Sequence, residues 1–136
     1  LAAEANPAAH LARYAEVDVA LDVFPYNGVT TSCEALWMGV PVVTLAGTTH
    51  VARAGASLLQ AAGLPMLIAR SPSEYVAKAC ALVGDTRELG ALRAGMRARL
   101  RDSALLDAPG FTRALEDAYR RMAQDAGLAG GVRAGR

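Results

Sequence analysis

An α/β fold, a parallel sheet with flanking helices, is what this sequence predicts, and three observations predict it. Short apolar, β-branched stretches at Val17 to Val23, Val42 to Leu45 and Leu64 to Ala69 alternate with segments of helical periodicity. The stretches are apolar enough to be buried on both faces, as strands of a parallel sheet covered on two sides are. Each connecting segment is long enough for a right-handed helical crossover, which gives two βαβ units in series. At 136 residues, the chain has the length of one domain and should bury roughly two-thirds of its unfolded surface. One domain is expected over residues 1–126, followed by a flexible tail over 127–136, where the last ten residues hold four glycines.

Each element has its own signals. Asn6-Pro7 starts a helix, Asn as cap and Pro in the first turn, that runs through His10 and Tyr14 to about Glu16. Val17 to Val23 is a strand, and Phe24-Pro25-Tyr26-Asn27-Gly28 breaks it with turn chemistry. Thr31-Ser32-Cys33-Glu34 has capping-box spacing and opens a helix through Met38, which Gly39 and Pro41 close. Val42 to Leu45 resumes as a strand. Val51 to Ala62 is the next helix, ended by Gly63, and Leu64 to Ala69 the third strand. Ser71-Pro72-Ser73-Glu74 caps a helix to about Val83. Thr86 to about Asp102 carries Leu89, Leu92, Met96 and Leu100 at helical spacing, surrounded by Arg87, Arg93, Arg97, Arg99 and Arg101. After the break at Asp107 to Gly110, Phe111, Leu115, Tyr119 and Met122 mark a last helix whose apolar edge needs a cover.

Composition excludes several classes. Fourteen basic against thirteen acidic residues leave a net charge of +1, so no field draws the whole molecule to nucleic acid or an anionic membrane. The arginines of the fifth helical segment have no interleaved aromatic residue and read as a solvated face. Apolar residues reach 53%, yet Gly, Pro or charge breaks every run well short of a membrane span, and a cytoplasmic protein is expected. Cys33 and Cys80 are widely spaced, without a CxxC or a histidine at ligand spacing, and read as packing residues rather than a disulfide or metal site. The chain opens on Leu1, within an alanine-rich segment, as an excised piece of a longer protein does.

Asp22 to Leu45 is where chemistry is expected. In an open parallel sheet, ligands bind outside the carboxyl ends of the strands, and a helix N-terminus there offers unpaired N–H groups to an anion. Gly28 allows close backbone approach, Thr30 and Thr31 add hydroxyls, and Glu34 lies one turn on, where a carboxylate can accept both hydroxyls of a ribose. The plainer reading is that Thr31 and Glu34 cap only their own helix, and on spacing alone it is favoured. No GxGxxG follows a strand and no GxxxxGK[ST] occurs, which argues against an ordinary dinucleotide site or P-loop.

PYNGVTTSCEALWMGVPVVTLAG, residues 25 to 47, closely resembles the O-GlcNAc transferase and SPINDLY family, glycosyltransferase family 41. The similarity extends upstream over His10 and VDVALD, and downstream over HVARAGASLL, GLPMLIA, SEYVAKA and ALEDAYRRM. The resemblance implies a Rossmann-like, nucleotide-sugar-binding C-terminal half of a two-domain GT-B enzyme. It implies that His10 packs on the nucleotide base, that Thr30 and Thr31 meet the diphosphate, and that Glu34 holds the ribose hydroxyls. The capping reading of Thr31 and Glu34 then falls to second place. Gly28 belongs to the same loop, and Val29 stands where many relatives carry histidine, leaving a backbone contact there. Arg53, and less so His50, follow the next strand and could also approach the donor.

The implied reaction is metal-independent, inverting transfer of a sugar, GlcNAc from UDP-GlcNAc or another sugar from its nucleoside diphosphate, to a Ser or Thr hydroxyl of an acceptor protein, with no cofactor. The family's phosphate-binding lysine lies upstream of these residues, and Lys78, the sole lysine, cannot be equated with it. An N-terminal catalytic half, with the TPR repeats usual in the family, is implied as a partner, so the isolated chain is not expected to turn over. Two rivals remain. VDVALDVFP followed by VPVVTLAG also has the look of a response-regulator receiver, with Asp22 as the phosphoacceptor, although the acidic pair and the lysine such a domain needs are missing. The other is a relic that binds nucleotide without catalysis.

Overall fold

The computed structural model describes residues 6–128. Helix α1 is Pro7–Ala12, with the Asn6 side chain accepting from the Ala8 N–H at 3.0 Å, and it tightens into a 3-10 turn over Arg13–Glu16. Strand β1, Ala20–Leu21, lies parallel to β2, Val42–Leu45, and β2 lies parallel to β3, Ile68–Ala69, in the order β1-β2-β3. Ala20 faces Val42, and Thr44 faces Ile68 across the two ladders. The α/β class and the parallel sheet therefore stand as expected.

The strands are shorter than the apolar stretches that announce them, because neighbours claim their ends. Arg93 holds the carbonyls of Val17 and Asp18, and Asp22 turns its carboxylate into the loop that follows. Pro65 cannot donate to a ladder, and Pro65–Leu67 forms a 3-10 turn before β3. Helix α2 is Thr30–Trp37 and α3 is Ala54–Ala61. The expected start of α3 at Val51 is displaced because loop N–H groups take the carbonyls of Val51 and Ala52. Gly39 and Gly63 close these helices at φ +81 and +70, each followed by a bond from the next N–H back to the carbonyl five residues earlier.

Helix α4, Pro72–Gly84, is capped as expected: Ser71 accepts from the Glu74 N–H at 3.1 Å, and Glu74 accepts from the Arg70 N–H at 2.7 Å. Asp85 caps α5, Thr86–Arg101, and Asp107 caps α6, Ala108–Asp125. Gly127 and Leu128, the first residues of the expected tail, instead close α6, while residues 129–136 lie outside the described residues. Helix α6 buries none of its residues, and Phe111, Tyr119 and Met122 stay exposed.

Leu36, Val40, Leu59, Ala62, Leu64, Met96 and Leu100 form the core between the sheet and helices α2, α3 and α5. The arginines of α5 are not a plain solvated face. Arg97 donates twice to the Trp37 carbonyl, at 3.1 and 3.0 Å, with its guanidinium 4.9 Å from the Trp37 ring centre. Arg99 donates to the Gly63 carbonyl at 3.3 Å. Arg93, Arg97 and Arg99 thus satisfy carbonyls that helix ends and a strand approach leave without partners. No helix among the described residues is long and apolar enough to cross a membrane. Met96→Ala removes a fully buried side chain from the α5 face and should cost about 2–5 kcal/mol. Urea unfolding should show this as a lower midpoint at an unchanged slope.

Candidate functional site

The loop leaving β1 and the loop leaving β2 emerge at the same, carboxyl edge of the sheet. Asp22 is 6% exposed, and both of its oxygens are engaged. Oδ1 accepts from the Gly28 N–H at 2.8 Å and Oδ2 from the Thr44 hydroxyl at 2.6 Å. Asn27, 1% exposed, donates from its amide to the Val23 carbonyl at 3.0 Å and accepts from the Gly55 N–H at 3.2 Å, tying the loop to the start of α3. Tyr75 donates to the Asp22 carbonyl at 2.7 Å. No buried side-chain polar atom among the described residues lacks a partner. Asp22 is therefore a structural carboxylate that ties the loop after β1 to β2.

Val29, not Thr31, is the N-cap residue of α2, and no side chain caps this helix. Thr31 is the second helical residue, already past the cap position, and Glu34 turns away toward α1. The capping box is not formed. Gly28 lies half-buried, and a Cβ there would come within 2.6 Å of the Thr31 hydroxyl oxygen and 3.4 Å of Asp22 Oδ1. The close approach that requires glycine is thus made by the protein's own side chains. Because its N–H is spent on Asp22, Gly28 has none to offer an anion. Thr30 and Thr31 are exposed at the opening turn, and Val29 is 51% exposed beside them.

One turn further, His10 Nε2 lies 3.2 Å from Glu34 Oε2. An ionised carboxylate can only accept, so Nε2 carries the proton of this bond. The Tyr14 hydroxyl reaches the Thr31 carbonyl at 3.3 Å and Glu34 Oε2 at 3.5 Å, and its ring meets that of His10 edge-on, centres 5.7 Å apart. Burial, then the Glu34 charge and the bond to it, push the Tyr14 phenol up; burial and the Glu34 charge push the Cys33 thiol up. Tyr14, Asp22, Gly28, Thr31 and Ser32 line part of a cleft of ≈ 160 Å³.

The structure thus brings together His10, Glu34, Thr31, Thr30, Val29 and Gly28. Arg53, the exposed N-cap residue of α3, lines a separate cleft with His50 and makes no hydrogen bond through its side chain to the α2 turn. His50 caps nothing with its side chain. Lys78 donates to the Met66 carbonyl at 2.7 Å, just before β3 and so at the amino edge of the sheet, away from this site. Sequence reasoning missed Tyr14, Asn27 and Thr44. For the last two, the signal was a polar residue within an apolar strand and beside a turn glycine; for Tyr14 it was a register of four with His10.

The model of glycosyl transferase family 41 matches residues 1–115. A probable UDP-N-acetylglucosamine--peptide N-acetylglucosaminyltransferase SPINDLY from Oryza sativa subsp. japonica is 47% identical over 113 residues, which is 83% of this chain and 12% of that protein. A UDP-N-acetylglucosamine--peptide N-acetylglucosaminyltransferase from Caenorhabditis elegans is 34% identical over 113 residues, 83% of this chain and 10% of its own. A mutant O-GlcNAc transferase of Thermobaculum terrenum superposes with a TM-score of 0.80 at 50% identity, covering 89% of this chain and 23% of that one. The chain spans about an eighth of the curated relative from rice.

Two outcomes are expected of this geometry. Asp22→Ala leaves the Gly28 N–H and the Thr44 hydroxyl unpartnered and should destabilise the fold by about 2–4 kcal/mol, measured by chemical denaturation; a loss below about 0.5 kcal/mol would show that the carboxylate does not hold the loop. Raised phenol and thiol pKa values favour the neutral, folded forms, so their contribution is full below the unfolded pKa values and is lost as pH rises through the folded ones. In a tyrosinate absorbance titration, Glu34→Gln should move one tyrosine to lower pH. An unmoved curve means that phenol and carboxylate do not face each other.

Proposed function

The chain belongs to glycosyl transferase family 41, and on that premise we propose that it is the donor-binding part of a protein O-glycosyltransferase. In this reading Thr30, Thr31 and the opening N–H groups of α2 receive the diphosphate, Glu34 accepts the ribose hydroxyls, and His10 packs on the base. The observation that carries it is the uncapped start of α2 at the carboxyl edge of the sheet, with Glu34 and His10 paired one turn away. An uncapped helix N-terminus presents partial positive charge to an anion, worth about 0.3–1 kcal/mol for an exposed site and up to about 2 kcal/mol when partly buried.

The donor is UDP-GlcNAc, as the names of the relatives indicate for those proteins, or another nucleoside diphosphate sugar. An acceptor Ser or Thr oxygen attacks the anomeric carbon from the face opposite the diphosphate. The bond from that carbon to the diphosphate oxygen breaks, and its electron pair stays on the leaving group. Aligned N–H groups and threonine hydroxyls stabilise that developing charge without a metal or a cofactor. The hydroxyl's proton goes to a base outside these residues, in the catalytic half that the family's enzymes carry, with its TPR repeats, on the N-terminal side.

Calorimetric titration with UDP, GDP and ADP tests this reading. One nucleotide should bind, and Glu34→Ala and Thr31→Ala should each weaken it by about tenfold. Binding that neither substitution changes, or none to the chain and none to the full-length protein, would sink the assignment.

A further inference from the structure

Asp22 is committed through both oxygens to the loop, whereas the two oxygens of Glu34 are treated differently. Oε2 faces both the His10 Nε2, at 3.2 Å, and the Tyr14 hydroxyl, at 3.5 Å, whereas Oε1 takes no hydrogen bond among the described residues. Tyr14 also touches the two other parts of the site, the Thr31 carbonyl through its hydroxyl and the His10 ring through its edge. It sits in the 3-10 turn Arg13–Glu16, so it links the segment that carries His10 to the first turns of α2. A phenol has one proton, and here that proton is shared between a carbonyl and a carboxylate. The carbonyl contact is the shorter of the two, and the carboxylate contact is the charge-assisted one.

We propose that Tyr14 is a positioning residue of the nucleotide site: with His10 it holds Glu34 by Oε2, so that Oε1 is presented to the vicinal hydroxyls of a ribose. The proposal rests on the donor-site reading above and deepens it by assigning ribose selectivity to a pair, Tyr14 and Glu34, rather than to the carboxylate alone. A free glutamate side chain would have to give up rotamer freedom when it meets the diol, and that ordering weakens binding. A glutamate already held by two donors gives up little. The raised phenol pKa of Tyr14, caused by burial first and by Glu34 second, accords with a neutral hydroxyl that donates across the neutral pH range.

The test is calorimetry on the full-length protein with UDP and GDP and with their 2′,3′-dideoxy counterparts. The wild type should prefer the ribose form of the nucleotide it binds by about tenfold or more, since the dideoxy form leaves Glu34 without its partners. Tyr14→Phe keeps the ring and its edge contact with His10, and should weaken the ribose form by about five- to tenfold while leaving the dideoxy form unchanged. Equal weakening of both forms, or of neither, overturns the proposal, the first because it marks a merely structural role. In the Glu34→Ala background Tyr14→Phe should have no further effect on ribose preference; an additive loss also overturns it. A wild type that binds both sugars alike removes the ribose role of Glu34 and this proposal with it, whereas absence of any nucleotide binding removes the donor site itself. Coincident thermal unfolding of Tyr14→Phe and wild type separates a lost hydrogen bond from a lost fold.

Discussion

The structure depends on one buried carboxylate. Asp22 directly follows the first strand, and its two oxygens accept from a backbone N–H six residues on and from a hydroxyl of the neighbouring strand. A polar group taken out of water is costly unless it is hydrogen-bonded, so these two bonds matter once the loop folds over it. The result is a loop whose path is fixed at Gly28, two residues before α2 begins. Where the helix starts, and which of its N–H groups are free, follows from that anchor. Gly55 packs so close to Asp22 and Thr44 that a side chain there would run into both, which brings the start of α3 against the same point.

The second constraint is the set of arginines on α5. A helix that ends at Gly39 and another that ends at Gly63 leave carbonyls without intrahelical partners, and guanidinium groups, with several donors in a rigid plane, reach them from across the molecule. These contacts fix α5 against α2 while Met96 and Leu100 supply the apolar contact beneath. Charge on this helix thus serves packing. The contrast with α6 is sharp: its apolar residues stay exposed, and its caps alone define its ends.

Around the anchored loop, the site combines two kinds of order. Backbone geometry gives an uncapped helix start with two threonines in its first turn. Side-chain pairing gives His10, Tyr14 and Glu34, which hold one another across two elements separated by 24 residues between His10 and Glu34. The first kind suits a diphosphate because it offers dipoles without desolvating a charge, and the second suits a diol because it offers an oriented acceptor.

The sequence by itself determined the α/β class, the parallel order of strands, the helix caps at Asn6 and Ser71 and the stop signals at Gly39 and Gly63. These rest on periodicity and local backbone preference, which short stretches of chain carry in full. It also named Thr30, Thr31 and Glu34 as candidates from the chemistry of the loop, and His10 through resemblance. Only the tertiary structure decided that Thr31 lies inside its helix, where the loop before it is held by a bond from Gly28 to Asp22, just past the preceding strand. Only it turned three arginines of α5 into carbonyl partners, and only it joined Tyr14 to Glu34. Each of these depends on which groups meet across the fold, and a residue's polar partners are chosen by proximity in space, which periodicity along the chain does not encode.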